Sequence, residues 1–334
     1  MPRKLVLNLG FTLLFWAIFD GLLSFFIPIY VVGLGFTKTE LGLIIAFQSI
    51  TGAVFDFLIS KYLKKYHYLT IFFIFFFLSL IFPLILWYSK TTLLLLFAMT
   101  VWGLYYDLLA FAVFDFSSRH SLKNEHCQNI GAIGVFKSAG YLIAPLIGSL
   151  LVINSVVSFG NILYSYIFLF ISGILFIVFY ANSADHRTIT FPRKYHHQNA
   201  VSEITLWFQV GRILIPVLLF NLLLSSFDYI FWTLGPLLPN GGYFMFAYVL
   251  PVIIIGWSSE IITRKLGKKV TAYASFLLGS LVLTLFFWVN DPYLILLVIF
   301  FASLFSSLAW PSLKGAYVDY LVESPAFKQE IEGL

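Results

Sequence analysis

Three acids, Asp20, Asp107 and Asp228, lie near the middles of long apolar segments of the sequence, and Lys314 lies in the inner half of another such segment. A charged side chain at the centre of a bilayer costs about 2.5–3.5 kcal/mol on insertion scales, so such residues are rare there without a function. Burial also disfavours the charged form of a carboxyl group, which lets a buried acid bind and release a proton near neutral pH. We therefore predict that the three aspartates bind a cation or a proton. The alternative is a structural acid that pairs with Lys314 or with a backbone group.

The same four residues continue polar patterns at helical spacing. Polar or aromatic residues recur every three or four positions, which puts them on one face of a helix. The patterns are Thr12, Trp16, Asp20 and Ser24; Thr100, Gly103 and Asp107; Asn221, Ser225 and Asp228; and Ser303, Ser307, Trp310 and Lys314. The aromatic residues best placed to stack on a solute are Trp16, Trp102 and Trp310.

The elements that carry these residues are predicted to be membrane-spanning helices. Of the 334 residues, 60% are hydrophobic and only 10% are charged, and the mean hydropathy is +0.95. Soluble domains carry about 25% charged residues, so lipid must be the main solvent for this chain. A helix crosses the bilayer core with about 20 apolar residues. By this measure the predicted spans are 8–32, 40–60, 69–89, 92–116, 130–153, 161–181, 212–238, 241–262, 270–290 and 293–318.

The basic residues indicate how these spans are oriented. With the N-terminus inside, only Lys38 and Lys90 fall on the outer side, and most other lysines and arginines fall in inner loops. The net charge of +5 therefore fits the inner membrane surface and requires no nucleic-acid partner. We expect a multi-pass protein of the cytoplasmic membrane with a cytoplasmic N-terminus. Lys137 falls within the fifth span, where it can pair with Asp115, extend to the interface or face a cavity.

Catalytic and metal-binding patterns are absent from the sequence. The predicted spans contain no histidine, and the aspartates stand in different segments without a catalytic partner. Cys127 is the single cysteine, which excludes an intramolecular disulfide and a cysteine-based metal cluster. We therefore expect no enzymatic activity, no metal and no cofactor.

Three spacings recur in the two halves of the chain, which indicates a duplication. The first is Gly52-x-x-x-Asp56-x-x-x-Ser60-Lys61-x-x-Lys64-Lys65, which returns as Gly256-x-x-x-Glu260-x-x-x-Arg264-Lys265-x-Gly267-Lys268-Lys269. Asp115 and Asp319, at the ends of the fourth and tenth spans, are separated by the same offset as these motifs. Asp20 and Asp228 each precede a proline by eight residues.

Two parallel halves joined by a basic inner segment resemble the major facilitator superfamily. The sequence Arg264-Lys265-Leu266-Gly267-Lys268-Lys269 looks like the inner-loop motif of that family, and the segment that begins at Ser60 is its weaker copy in the first half. Both depart from the motif, because Arg264 and Ser60 stand where it has an aspartate. The fifth span is similar to the Gly/Pro motif of proton-coupled exporters of the superfamily. Its matching residues are Gly131, Gly140, Pro145 and Gly148, whereas Ala144 and Ser149 stand at small positions where the motif has glycine. The arginine that many members carry in the fourth span is missing, because Met99 and Thr100 occupy that region.

The resemblance implies that the first, fourth, seventh and tenth spans line a central cavity. The residues that would then bind the solute or a proton are Asp20, Asp107, Asp228, Lys314, Trp16, Asn221 and Trp310. Charges at the inner ends of the helices would instead hold the inner gate closed. This group is Asp56, Lys61, Lys64, Lys65, Asp115, Glu260, Arg264, Lys265, Gly267, Lys268 and Asp319.

The implied architecture is an all-α membrane protein with two helical bundles related by a parallel pseudo-repeat. Residues 1–182 would form a six-helix bundle, 183–211 a cytoplasmic linker, and 212–334 a second bundle with four helices. The family normally has twelve spans, so we expect that ten of them are present and that the second bundle is incomplete. A native ten-span protein is the alternative.

These features together predict a secondary active transporter. It would move a small organic solute by alternating access, coupled to protons and in the direction of export, as a monomer in the lipid bilayer. Three acids against one lysine favour a cationic or neutral, partly aromatic solute. A sensor or scaffold without transport activity is the main alternative, and a membrane-embedded enzyme is a weaker one. A channel is disfavoured because no charge ring or carbonyl-filter signature occurs.

Overall fold

The computed structural model of the protein describes residues 3–62, 67–120, 126–152, 156–184, 215 and 219–323. These ranges contain ten α-helices and no β-strand, which confirms the predicted all-helical class. Each helix overlaps one predicted span. The helices are α1 Arg3–Gly33, α2 Lys38–Tyr62, α3 Tyr68–Tyr88, α4 Thr92–His120, α5 His126–Leu151, α6 Phe159–Ala184, α7 219–234, α8 Gly241–Leu266, α9 Lys268–Thr284 and α10 Pro292–Glu323.

Seven segments of the described chain are long and apolar enough to cross a membrane. They belong to α1, α3, α4, α5, α6, α9 and α10, and α8 adds a shorter apolar stretch, Gly241–Ile255. Length and composition therefore support a multi-pass protein. Ten crossings remain a prediction.

The turns between helices depend on residues that tolerate a left-handed backbone. Gly35 and Gly267 have φ values of 96° and 84°, and Asn240 has a φ of 61°. Glycine adopts this region without the steric penalty of a Cβ, and asparagine tolerates it better than most residues. These residues therefore allow the chain to turn between one helix and the next.

Two helices end earlier than predicted. The α-helix in predicted span 212–238 stops at residue 234, where the 3₁₀ turn Gly235–Leu237 begins with Pro236 near its start. Proline lacks the N–H that would continue the helical hydrogen bonds. In predicted span 270–290 the α-helix ends at Thr284 and a second 3₁₀ turn, Leu285–Phe287, follows.

The first compact unit consists of Met1–Ile189 together with Trp232–Phe246. In it α1 packs against α5 and α6, and α4 packs against α2 and α3. Glycines allow α1 and α5 to approach closely: a Cβ added at Gly140 would lie 2.5 Å from the Leu14 carbonyl oxygen, and one at Gly21 would lie 2.6 Å from the Ala144 Cβ. Small residues at the contact between two helices are typical of helix packing inside membranes.

The second compact unit consists of Thr190–Phe231 and Ala247–Leu334. Its described core joins α7, α9 and α10 through a small apolar cluster, which is Phe220, Leu224, Ala272, Ala309 and Leu313. The α9–α10 pair is close-packed at Gly279, where an added Cβ would lie 3.2 Å from the Ala302 carbonyl oxygen. This scaffold holds Asp228 and its partner on α8.

Candidate functional site

The centre of the first unit is the carboxylate of Asp20, a residue in the middle of α1 that is only 1% exposed. Its Oδ1 atom accepts hydrogen bonds from the Tyr105 hydroxyl at 2.5 Å and from the Trp102 Nε1 at 3.1 Å. Its Oδ2 atom accepts one from the Tyr141 hydroxyl at 2.6 Å. Three donors from α4 and α5 therefore hold a carboxylate of α1, and all three are electrically neutral.

Local sequence explains why these donors converge. Trp102 and Tyr105 are three residues apart, so both side chains lie on the same face of α4. Tyr141 directly follows Gly140, which lets the α5 backbone approach α1 closely enough for the tyrosine hydroxyl to reach Asp20. The short distance between α1 and α5 thus positions the third donor.

Aromatic side chains pack around this carboxylate, which is almost fully buried. The Phe82 ring stacks on Trp102 at 5.8 Å between ring centroids and meets Tyr105 edge-on at 5.5 Å. Trp16 lies edge-on to Tyr105 at 6.1 Å and donates from its Nε1 to the Ser79 hydroxyl at 3.3 Å. Hydrogen bonds in such a dry environment are stronger than in water.

A lysine of α5 lies beside this group. The Lys137 Nζ donates to the Tyr106 hydroxyl at 3.4 Å and stands 4.8 Å from the centroid of the Tyr106 ring. It is also 5.9 Å from the centroid of the Tyr141 ring, whose hydroxyl donates to Asp20. Lys137 thus lies beside the tyrosines of this group, and its role among the three that the sequence leaves open stays a prediction.

The second unit also contains an aspartate that accepts a hydrogen bond from a tyrosine hydroxyl. The Tyr248 hydroxyl of α8 donates to the Asp228 carboxylate of α7. The Tyr248 ring stacks on Phe231 with centroids 4.5 Å apart, and its backbone carbonyl accepts from the Ser303 hydroxyl of α10. Each unit therefore pairs a helix-borne aspartate with a tyrosine hydroxyl.

Asp107 occupies a different place from Asp20. A Cβ added at Gly52 of α2 would lie 2.7 Å from the Asp107 Oδ2, so this carboxylate faces the α2–α4 contact. Tyr105 and Asp107 are two positions apart, which turns their side chains about 200° from one another around α4. The structure thus does not bring together Asp20 and Asp107, the two predicted cavity acids of the first unit.

The remaining predicted cavity residues are distributed as follows. Trp16 is fully buried, while Asn221 and Trp310 are half-buried in the second unit, where Trp310 packs against the apolar cluster. The side chain of Lys314 lies outside the described part of the chain. A cavity role for these residues stays a prediction.

The predicted gating residues fall into two groups. Asp115 is buried near the end of α4, and Lys265, Gly267 and Lys268 are exposed at the turn between α8 and α9. The others lie outside the described residues or side chains: Asp56, Lys61, Lys64, Lys65, Glu260, Arg264 and Asp319.

Residues of the span-five motif have a packing role in the structure. Gly140 and Gly148 face α1, where a Cβ added at Gly148 would lie 2.7 Å from the Phe25 ring. Pro145 is buried inside α5, whereas Gly131 is exposed with open space around it. The motif thus determines how closely α5 and α1 approach.

Sequence reasoning missed the three tyrosines that hold the aspartates, Tyr105, Tyr141 and Tyr248. The sequence contained an indication for Tyr105, because Tyr105 lies about one helical turn from Trp102 and on the same face of α4. It also contained one for Tyr141, because Tyr141 lies inside the Gly/Pro motif. Trp102 was predicted to stack on a solute, but the structure uses its indole N–H as a donor to Asp20.

The sequence profile of the Major Facilitator Superfamily matches residues 9–325. Among solved structures, a mutant of the nucleoside transporter NupG is similar, with a TM-score of 0.71 and 15% identity over 97% of this chain and 85% of that one. A D-xylose-proton symporter has a TM-score of 0.66 and 12% identity over 98% and 84% of the two chains. The E. coli fucose:proton symporter FucP has a TM-score of 0.59 and 14% identity over 92% and 82%. No curated protein sequence gives a significant match.

Proposed function

The chain belongs to the Major Facilitator Superfamily, and we propose that it moves a small organic solute by alternating access with coupling to protons. It is a multi-pass membrane transporter and not an enzyme.

The observation that carries proton coupling is the surroundings of Asp20. The three side chains that donate hydrogen bonds to it are neutral. When the carboxylate binds a proton and loses its charge, none of these donors is therefore left as an unpaired buried cation. Tyrosine hydroxyls donate and accept, so those of Tyr105 and Tyr141 can rearrange when a proton arrives. A buried acid at the middle of a membrane helix is also the kind of residue that serves proton relays.

Two of the similar solved structures support coupling to protons and a neutral organic solute. They are named as proton symporters of D-xylose and fucose, and a third is named as a nucleoside transporter. The Gly/Pro motif of α5 favours export. We propose export as the direction, and the assay described next measures both directions.

The proposal keeps the predicted architecture. Residues 1–182 and 212–334 would form two helical bundles joined by the cytoplasmic linker 183–211, with ten spans and a cytoplasmic N-terminus. The inner-loop charges would control the inner gate. The protein would act as a monomer in the cytoplasmic membrane, with the solute, protons and lipid as its partners.

The test is transport by the purified protein in proteoliposomes that contain a pH-sensitive dye. Labelled D-xylose, L-fucose and a nucleoside serve as probes, and each is supplied inside or outside, with and without a pH gradient. The variants Asp20→Asn and Asp228→Asn are compared with Asp291→Asn as the matched control. Asp291 is exposed and caps α10 by accepting from the backbone N–H groups of Tyr293 and Leu294, which an asparagine can also do.

We expect a solute-dependent change of internal pH for the wild type and for Asp291→Asn. Asp20→Asn and Asp228→Asn should lose at least tenfold of the gradient-driven flux at normal expression. Normal gradient-driven flux in both would exclude them as coupling residues. Flux that is insensitive to pH in every variant would exclude proton coupling itself.

A further inference from the structure

The surroundings of Lys137 have the chemistry of a binding site for organic cations. Its ammonium group stands within 6 Å of two tyrosine rings, at 4.8 Å from Tyr106 and 5.9 Å from Tyr141, and bonds to the Tyr106 hydroxyl. Aromatic faces at such distances attract a cation through the ring quadrupole. A pair of tyrosine rings therefore forms a cage around this one positive charge.

An anionic group lies directly behind the cage. The hydroxyl of Tyr141 donates to the Asp20 carboxylate at 2.6 Å, so the carboxylate is one hydrogen bond away from a ring of the cage. The Trp232 ring meets the Tyr141 ring edge-on, with centroids 5.8 Å apart. Aromatic faces combined with a nearby carboxylate are the groups that recognise alkylammonium ions.

Lys137 and the two tyrosines are the partly exposed members of this group. Asp20 and Tyr105 are fully buried, whereas Lys137, Tyr106 and Tyr141 are only half-buried. A ligand could thus reach the tyrosine faces if the lysine side chain were removed. Lys137 lies inside α5, where alanine is a strong helix former, so its truncation should leave the helix intact.

We propose that Lys137 is a tethered occupant of a cation site made by Tyr106, Tyr141 and Asp20, and that its ammonium group keeps organic cations out. The consequence is that the solute of the wild-type protein is neutral rather than cationic. This consequence rests on the proposed transport function. Binding of a cation to the emptied cage does not rest on it.

The test is binding of labelled tetramethylammonium to the purified full chain in detergent. The variants are Lys137→Ala, which empties the cage, and Lys137→Arg, which keeps a cation in it. The matched control is Lys90→Ala. The exposed Lys90 also stands over two rings, 4.9 Å from Tyr30 and 4.4 Å from Trp87, and donates to the Tyr30 hydroxyl at 2.7 Å.

We expect Lys137→Ala to bind tetramethylammonium saturably and at least tenfold more tightly than the wild type, Lys137→Arg and Lys90→Ala do. Adding Asp20→Asn to Lys137→Ala should remove most of this gain, because the carboxylate charge is lost. Equal binding by Lys137→Ala and the wild type would overturn the proposal, and so would equal gains in Lys137→Ala and Lys90→Ala.

Two further experiments distinguish a loss of cation binding from misfolding and from a loss of transport. Lys137→Ser replaces the alanine variant if the latter does not elute as a single species on size exclusion, with the same expected binding. Uptake of tetramethylammonium into proteoliposomes is then measured for Lys137→Ala. Binding without uptake contradicts the specificity role of Lys137 but keeps the cation site. Failure of the Asp20→Asn transport test leaves the binding result unaffected.

Discussion

A buried carboxylate needs several hydrogen-bond donors when no salt bridge neutralises it directly. At Asp20 these are Tyr105, Tyr141 and the indole of Trp102. Hydrogen bonds to a charged group contribute about 1.5–3 kcal/mol each, roughly twice the value for neutral pairs. The cost of burying Asp20 is therefore offset by side chains from two other helices, and the carboxylate ties α1, α4 and α5 together.

Replacing Tyr105 by phenylalanine tests this residue-scale argument. The ring remains, but Asp20 loses its shortest hydrogen bond, so Tyr105→Phe should lower the free energy of unfolding by about 1.5–3 kcal/mol. The measurement is thermal unfolding in detergent. Tyr164→Phe on α6 is the matched control, because that tyrosine is 54% exposed and has little packing to lose. Equal melting temperatures for the two variants would contradict the role of the Tyr105 hydroxyl.

The sequence could identify Asp20 but not its partners. An acid within an apolar span stands out because its burial is costly, and that cost does not depend on the fold. The chain has 19 tyrosines, however, and the ones that turn toward Asp20 are decided by how α4 and α5 pack on α1. Lys137 shows the same limit, since its contacts with Tyr106 follow from packing and not from spacing along the chain.

At the scale of the helix, α5 is built to lie close to α1. Gly140, Ala144 and Gly148 recur every four residues, so they form one small-residue face on α5. Gly140 and Ala144 meet the α1 stretch from Leu14 to Gly21, beside Asp20. The same face thus controls helix packing and the position of Tyr141.

Substituting the glycines of α5 one at a time separates close contact from helix propensity. Gly140→Ala should destabilise the protein by about 1–3 kcal/mol, because its Cβ would meet the α1 backbone at 2.5 Å. Gly134→Ala should be neutral or stabilise by up to about 1 kcal/mol, because nothing lies within 4 Å of its added Cβ and alanine favours helix. Thermal unfolding of both variants gives the comparison. A Gly140→Ala protein as stable as Gly134→Ala would show that α5 can move away from α1 without cost.

Helix positions were largely predictable, whereas helix ends were less so. Apolar length locates a span, and glycine or asparagine with positive φ terminates it, as at Gly35 and Gly267. The end of α7 depends on Pro236, whose effect is felt before the proline itself. Hydropathy alone does not report such local breaks, so the two spans that end in 3₁₀ turns were predicted too long.

At the scale of the whole molecule, both units contain an aspartate that accepts a hydrogen bond from a tyrosine hydroxyl, but the number of donors differs. Asp20 in the first unit accepts from three side chains, and the hydroxyl of Tyr248 donates to Asp228 in the second. The repeat spacing of the sequence predicted equivalent acids in α1 and α7. The tyrosine partners come from different elements, α4 and α5 in one unit and α8 in the other. A duplicated chain can thus keep an acid while replacing the side chains that hold it.

The orientation of the whole molecule can be tested with its single cysteine. Cys127 falls between the fourth and fifth predicted spans, on the side that carries most of the basic residues. Because positive charges remain cytoplasmic, a membrane-impermeant maleimide should label Cys127 in inside-out vesicles and leave it unlabelled in intact cells. Asn290 lies in the exposed connection between α9 and α10, on the predicted outer side. The double variant Cys127→Ser/Asn290→Cys should therefore give the reverse labelling, and labelling of Cys127 in intact cells would invert the proposed topology.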